Sequence, residues 1–139
     1  MVVIPPATDS ALRLLAAKSS RYMGAAAGAS FGQATPSRAS LTSTFSRFAA
    51  LGVKVHITEL DIRVRVPGAT AAELAAQASA FGDIVAACRA VQLCEAIVVW
   101  GVSDAESWVP STFPGYGNAL LFDNTYAKKA TYTAVKNAL

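Results

Sequence analysis

Glu59 and Asp61 stand two residues apart in the run VKVHITELDI (residues 53–62), an apolar β-type sequence that ends on carboxylates. Strand alternation predicts that both side chains point to one side, where they can share a cleft. The same rule places Glu59 at the end of the row Val53, Val55, Ile57, with His56 on the opposite face. Two carboxyls in one cleft are what glycoside hydrolysis uses. In its retaining form one attacks the sugar while a second, roughly 5 Å away, donates and then accepts a proton. The bland alternative is a strand-end glutamate held in a salt bridge. Trp100 ends a second apolar run, and SDAESW (residues 103–108) follows it, which brings two indoles to the same sheet edge. Sugar C–H groups pack on the negative face of an indole, so a tryptophan pair beside carboxylates suits carbohydrate better than phosphate or nucleic acid. Taken singly, each tryptophan also fits ordinary core packing.

The remaining reactive types point to little else. His56 is the sole histidine and reads as a satisfied core residue; with one histidine there is no metal cluster. Cys88 and Cys94 lack partners at zinc spacing. They flank a predicted turn and fit either a disulfide across a tight bend or two buried thiols. Gly115-Tyr116-Gly117-Asn118 is a turn rather than a phosphate cradle, because no Lys or Ser follows it as a P-loop requires.

The elements that must position these groups follow a β/α rhythm. Ser10 caps a predicted helix over residues 11–19, followed by a short strand from Tyr22 to about residue 26. Residues 24–34 are rich in Gly, Ala and Ser and read as a loop or junction. After Pro36-Ser37, Leu41, Phe45, Phe48 and Leu51 recur at helical spacing, and Gly52 sits where a C-cap belongs. Thr70 and Glu73 form a capping-box pattern ahead of Leu74, Ala78, Phe81, Val85 and Cys88. A strand over residues 96–101 completes a βαβ unit, which demands a parallel sheet with a right-handed crossover. A last helix is expected over residues 128–137. In such sheets ligands bind at the C-terminal ends of the strands.

The 139 residues, 53% apolar and 15% charged, predict one α/β domain with a large core. The net charge of +3 comes from twelve scattered basic residues without a block, which argues against nucleic acid as a partner. No apolar run approaches the roughly 18 residues that would span a membrane. The first residues carry neither a basic leader nor a long apolar stretch of the kind that directs export.

Residues 53–62 (VKVHITELDI) and 99–108 (VWGVSDAESW) resemble the two C-terminal active-site strands of glycoside hydrolase family 10 xylanases. The likeness extends from about Gln33 to Leu139. It takes in Thr35-Pro36-Ser37, the Cys88 to Cys94 spacing of fungal members and the GNALLFD run at residues 117–123. Residues 11–27 are similar to the family's opening helix and first strand. The resemblance implies a partial (β/α)8 TIM barrel of α/β class with the central strands missing. Residues 1–139 then form a single incomplete domain, in which 1–29 resemble the barrel start and 33–139 the barrel end. It implies retaining cleavage of β-1,4-xylan with Glu59 as nucleophile, Trp100 and Trp108 lining the glycone side, and a Cys88–Cys94 disulfide. It also implies no cofactor and no metal, xylan or xylo-oligosaccharides as partners, and an extracellular location.

Two features depart from the family pattern. The second catalytic glutamate belongs to an Asp-Val-Val-Asn-Glu-like motif that this sequence lacks. Of its four glutamates, Glu73 fits a helix start and Glu95 the far end of a strand, which leaves Glu106 in the tryptophan loop as the only substitute. The histidine that the family places ahead of the Gln33 region is absent too. A (β/α)8 domain takes about 250 residues. The expected arrangement is therefore a first strand joined near residues 28–32 to the region before the seventh strand, giving an open sheet of three or four strands. Val55, Ile57, Val98 and Trp100 are then expected to need a covering chain, with self-association through exposed sheet edges. The alternative function is a catalytically dead fragment with residual sugar binding.

Overall fold

The computed structural model describes residues 22–30 and 35–139. The helix expected over residues 11–19 lies outside them. In chain order the elements are β1 (Tyr22–Ser30), α1 (Arg38–Ala49), β2 (Lys54–Arg65), α2 (Ala71–Arg89), β3 (Cys94–Val99), a 3-10 turn (Asp104–Glu106), α3 (Val109–Thr112), β4 (Tyr116–Gly117) and α4 (Ala130–Ala138).

Local chemistry sets the helix starts. The Ser37 side chain accepts from Ser40 N at 3.2 Å and opens α1. At α2 the capping box is complete: Glu73 N donates to Thr70 Oγ1 at 3.2 Å, and Thr70 N donates to Glu73 Oε2 at 2.7 Å. This satisfies two amide groups that a helix N-terminus leaves without partners. Glu73 Oε1 also lies 3.4 Å from Arg65 Nη2, tying the end of β2 to the start of α2. Gly52, between α1 and β2, takes φ +72°, a conformation that costs an L side chain energy and a glycine nothing.

β1, β2 and β3 form a parallel sheet in that spatial order, with α1 and α2 as the crossovers. β4 pairs antiparallel with the end of β2. β1 continues to Ser30, over residues expected to form a loop, because its backbone pairs with β2 as far as Arg63. Gly and Ala carry no strand propensity of their own; the pairing overrides it. Closure of a barrel brings the first strand against the last. Here β1 lies against β2 instead, where the preceding strand of a barrel wall would stand.

The core forms between the sheet and the helices. Phe45 and Phe48 of α1 and Phe81, Ile84 and Cys88 of α2 pack on Val53, just before β2, and on Val55, Ile57, Leu60 and Ile62 of β2. Val55 and Ile57 are 0% and 1% exposed, so this chain's own helices cover them and no second chain is needed there. The expectation that they would face open water fails because this row faces the helices. Val98 of β3 and Trp100 just after it, at 51% and 43% exposure, do remain open.

The buried stripe of α2 differs from the expected one in its first turns. It runs through Glu73, Gln77, Ala80, Phe81, Ile84, Val85 and Cys88, with Leu74 36% exposed. Polar residues occupy these turns because they have fixed partners. Gln77 Nε2 donates to Ile62 O at 2.5 Å and to Asn118 O at 2.6 Å, joining α2 to β2 and to the loop after β4. Cys88 and Cys94 are disulfide-bonded with Cα atoms 5.2 Å apart, which ties the end of α2 to the start of β3.

Candidate active site

The position of Glu59 depends on a β-bulge. Ile57 pairs with Ala25 and Glu59 with the next residue, Ala26, so β2 carries one residue more than β1. Against β3 the same excess appears: Ile57 pairs with Ile97 and Leu60 with Val99. The extra residue shifts the alternation by one. Val53, Val55 and Ile57 are buried before it, and Leu60, Ile62 and Val64 after it. Glu59 therefore does not end the Val53 row. It stands on the face away from the helices, together with Asp61 and Arg63. His56 lies on that face as well, not opposite Glu59, and it is not a core residue. It is partly exposed, with Nε2 3.7 Å from Glu95 Oε2. Glu95 is anchored in turn by Lys54 Nζ at 2.8 Å, near the start of the strands.

The loop after β3 folds back over this face. Trp100 N donates to Leu60 O at 3.1 Å, so Trp100 leaves the sheet one residue beyond Glu59 on the neighbouring strand. Asp104 and Ser103 then fix the loop. Ser103 Oγ donates to Asp123 O at 2.8 Å, and Asp104 Oδ1 accepts Leu120 N at 2.9 Å. Lys129 Nζ, from the residue before α4, donates to Asp104 Oδ2 at 2.7 Å, Asn118 O at 2.8 Å and Leu120 O at 2.9 Å. These bonds clamp both ends of residues 105–117, the segment that carries Trp108, Phe113 and Tyr116.

Trp108 reaches the carboxylates from that segment. Its Nε1 donates to Asp61 Oδ2 at 2.7 Å, while 41% of the residue stays exposed. The Phe113 ring meets the indole at 5.6 Å and 70°, a T-shaped contact. The Arg63 guanidinium lies 3.7 Å from the Phe113 centroid and 5.4 Å from that of Tyr116, a cation held by two rings. Asp61 is 6% exposed, and burial pushes its carboxyl above the ordinary value of 3.8. The indole hydrogen bond and the Arg63 charge oppose that rise, and the Glu59 charge adds to it. Glu59 and Asp61 are thus electrostatic neighbours, as their spacing predicts.

Glu106 sits in the 3-10 turn of the same loop. It is exposed and accepts a hydrogen bond from the Tyr126 hydroxyl, whose pKa it raises through that bond and through its charge. Its partner is therefore in the C-terminal loop rather than beside Glu59. Sequence reasoning brings Glu59, Asp61, Trp100 and Trp108 to one sheet end. It misses Arg63, Phe113, Tyr116 and Lys129. Arg63 is within its reach, since it extends the Glu59, Asp61 alternation by two residues. The two rings and Lys129 join through loop geometry that has no sequence period.

A model of Glycosyl hydrolase family 10 matches residues 15–138 of the chain. Endo-1,4-beta-xylanase A of Fusarium oxysporum f. sp. lycopersici is 50% identical over 105 residues, covering 76% of this chain and 32% of the relative. Endo-1,4-beta-xylanase 1 of Gibberella zeae is 48% identical over 105 residues, covering 76% and 29%. The chain thus spans about a third of the length of these curated relatives. Among solved structures, a family 10 xylanase from Bispora sp. MEY-1 with xylobiose superposes with a TM-score of 0.84 at 35% identity, over 94% of this chain and 41% of that one. A glycosylated endo-beta-1,4-xylanase from Gloeophyllum trabeum gives 0.82 at 35% identity, over 94% and 40%.

Proposed function

Because the chain belongs to glycosyl hydrolase family 10, we propose that it carries the nucleophile half of a retaining endo-1,4-β-xylanase site, with Glu59 as the attacking carboxylate. The observation that supports this most is the bulge. It turns a glutamate to the face of a parallel sheet away from the helices, two residues from a buried carboxylate that holds an exposed indole. In the retaining reaction the Glu59 carboxylate attacks the anomeric carbon as the bond to the leaving oxygen breaks, giving a glycosyl ester that water then cleaves. The exposed Trp108 and Trp100 offer apolar faces to a sugar ring at the same sheet end as Glu59. Asp61 and Arg63 keep the neighbourhood polar without bringing a second free acid to the leaving group. Xylan or a xylo-oligosaccharide is the ligand class that a carboxylate beside exposed indoles suits. The Cys88–Cys94 disulfide suits an oxidising, extracellular setting.

Protonation of the leaving oxygen needs a second carboxyl. Glu106, committed to Tyr126, is poorly placed for it. Loss of general acid catalysis removes about two to four orders of magnitude. The 139-residue chain is therefore expected to turn over unactivated xylan slowly, and to react with substrates whose leaving group departs unaided. The test is an activated 2-fluoro aryl xylobioside, followed by intact mass and peptide mapping. A covalent adduct on Glu59 that disappears in Glu59→Gln supports the assignment. An adduct elsewhere, or none, overturns it. Xylotetraose binding that survives Glu59→Gln but is lost in Trp108→Ala, with no adduct formed, would favour sugar binding without turnover.

A further inference from the structure

Asp61 looks at first like the second member of a reacting carboxylate pair, but its geometry gives it another task. Its Oδ2 is occupied by the Trp108 indole at 2.7 Å, and only 6% of the residue is exposed. A carboxylate in that state has little access to a leaving group or to water. Trp108 is held at three points. Asp61 fixes its Nε1, Phe113 packs against its ring at 5.6 Å, and the backbone on its C-terminal side is pinned where Ser111 Oγ donates to Trp108 O at 2.7 Å. Phe113 is fixed in turn by the Arg63 guanidinium 3.7 Å from its centroid. Asp61 and Arg63 leave β2 on the same face as Glu59, so one strand supplies the nucleophile candidate and both groups that orient the indole beside it.

We propose that Asp61 is a positioning residue for Trp108, braced by Arg63 through Phe113, and that it sets the indole plane against which a sugar ring packs next to Glu59. This rests on the carbohydrate reading above only for what the indole receives. The positioning itself is a property of the free chain. An indole tied at Nε1 cannot rotate about its side-chain torsions without breaking a charge-assisted hydrogen bond, which is stronger than a neutral one. The sugar therefore meets a plane already in place, and little ordering cost remains to be met on binding.

The chain has two tryptophans, so its amide spectrum holds two indole N–H signals, assigned by Trp100→Phe. The Trp108 signal is expected downfield and protected from solvent exchange relative to that of Trp100. Asp61→Ala should collapse the protection of Trp108 alone, by about tenfold or more, the scale of one lost hydrogen bond to a charged group. Asp61→Asn keeps an acceptor oxygen and should restore most of the protection. Arg63→Met, which keeps the stem but removes the cation, should broaden the Trp108 signal while the chain stays folded. Xylotetraose affinity should then fall in Asp61→Ala about as far as in Trp108→Ala, and recover in Asp61→Asn. A Trp108 signal unchanged in Asp61→Ala and Arg63→Met overturns the positioning role. If Asp61→Ala does not fold, the Arg63→Met spectrum decides. Wild-type chain that shows the indole effects but binds no xylotetraose overturns the carbohydrate reading and leaves the positioning role standing.

Discussion

Replacing Lys129 with Met should be among the most damaging single changes in the described part of the chain, and the structure says by how much. All three ammonium protons are used, on Asp104 Oδ2, Asn118 O and Leu120 O at 2.7, 2.8 and 2.9 Å. The side chains are 16% exposed for Lys129 and 3% for Asp104. Met keeps the apolar stem, so packing changes little. What is lost is the cation, which leaves the Asp104 carboxylate buried with Leu120 N as its remaining donor. Removing one member of a buried pair costs about 3–5 kcal/mol. For a chain of this size each kcal/mol is about 3 °C in Tm, so the midpoint should fall by roughly 10 °C. Urea and thermal unfolding of Lys129→Met check this. Adding Asp104→Asn removes the stranded charge and should recover at least about 1 kcal/mol. Because Asp104 and Asn118 bracket the loop that carries Trp108, the indole fluorescence should also shift in the native baseline. A Tm loss under about 3 °C, or no recovery in the double variant, would refute the reasoning.

Three further outcomes follow from single contacts. Gly101 has φ +132°, and a Cβ there would stand 2.9 Å from Leu120 Cδ1 in a fully buried side chain, so Gly101→Ala should cost about 1–3 kcal/mol; an unchanged urea midpoint would contradict that. Reducing Cys88–Cys94, which closes a loop of sequence separation 6, should lower stability by about 2 kcal/mol in the chain-entropy model, read as a lower urea midpoint with reductant; equal midpoints would count against a stapling role. The pH dependence has two signs. Asp61 has a folded pKa raised by burial, so its contribution is fully present below 3.8 and is lost as pH rises through the folded value. Glu73, Glu95 and Asp123 are lowered, chiefly by hydrogen bonds from Thr70, Lys54 and Thr125, so their contributions are present above their ordinary values of 4.5, 4.5 and 3.8 and fade as pH falls. Asp61→Asn should therefore gain on wild type as pH is raised from 3.8 to about 7, and a stability difference that is flat with pH would rule this out.

Much of the fold is legible in the sequence because its signals are local. Ser37 and the Thr70–Glu73 pair mark helix starts by chemistry that acts over three residues, and the apolar spacing of Phe45 and Phe48 reports a face that does become core. The strand at residues 22–30 is only half visible, since Gly and Ala say nothing about pairing and the partner lies about thirty residues away. Leu74 misleads for the opposite reason. Its place in a helical stripe is real, but Gln77 and Glu73 outcompete it for the inner face because their hydrogen bonds reach β2 and its neighbours. The aromatic brace around Trp108 leaves no trace, since Phe113 and Tyr116 meet Arg63 across a loop whose shape depends on Lys129.

The bulge in β2 explains why strand alternation finds the carboxylate pair and yet assigns it to the wrong row. Alternation without interruption would send Glu59 into the layer occupied by Phe48 and Phe81, both no more than 1% exposed. A carboxylate there would have no partner, and desolvating it costs several kcal/mol. Core formation on both sides of residues 58 and 59 demands that Ile57 and Leu60 face the same helices, and one extra residue is the least disturbance that allows it. The cost is an interrupted hydrogen-bond ladder against both neighbours, at Ala25/Ala26 on one side and between Ile57 and Leu60 on the other. The gain is that Glu59, Asp61 and Arg63 all emerge on the face away from the helices, where Asp61 accepts the Trp108 indole N–H and Arg63 holds the Phe113 ring that packs against that indole. The signal is present in the apolar pattern itself, because Val53, Val55, Ile57 and then Leu60, Ile62, Val64 fit a single buried face only if the period slips once between them. The row of hydrophobic residues that changes phase beside Glu59 thus marks, in the sequence itself, where the sheet turns a carboxylate away from the helices.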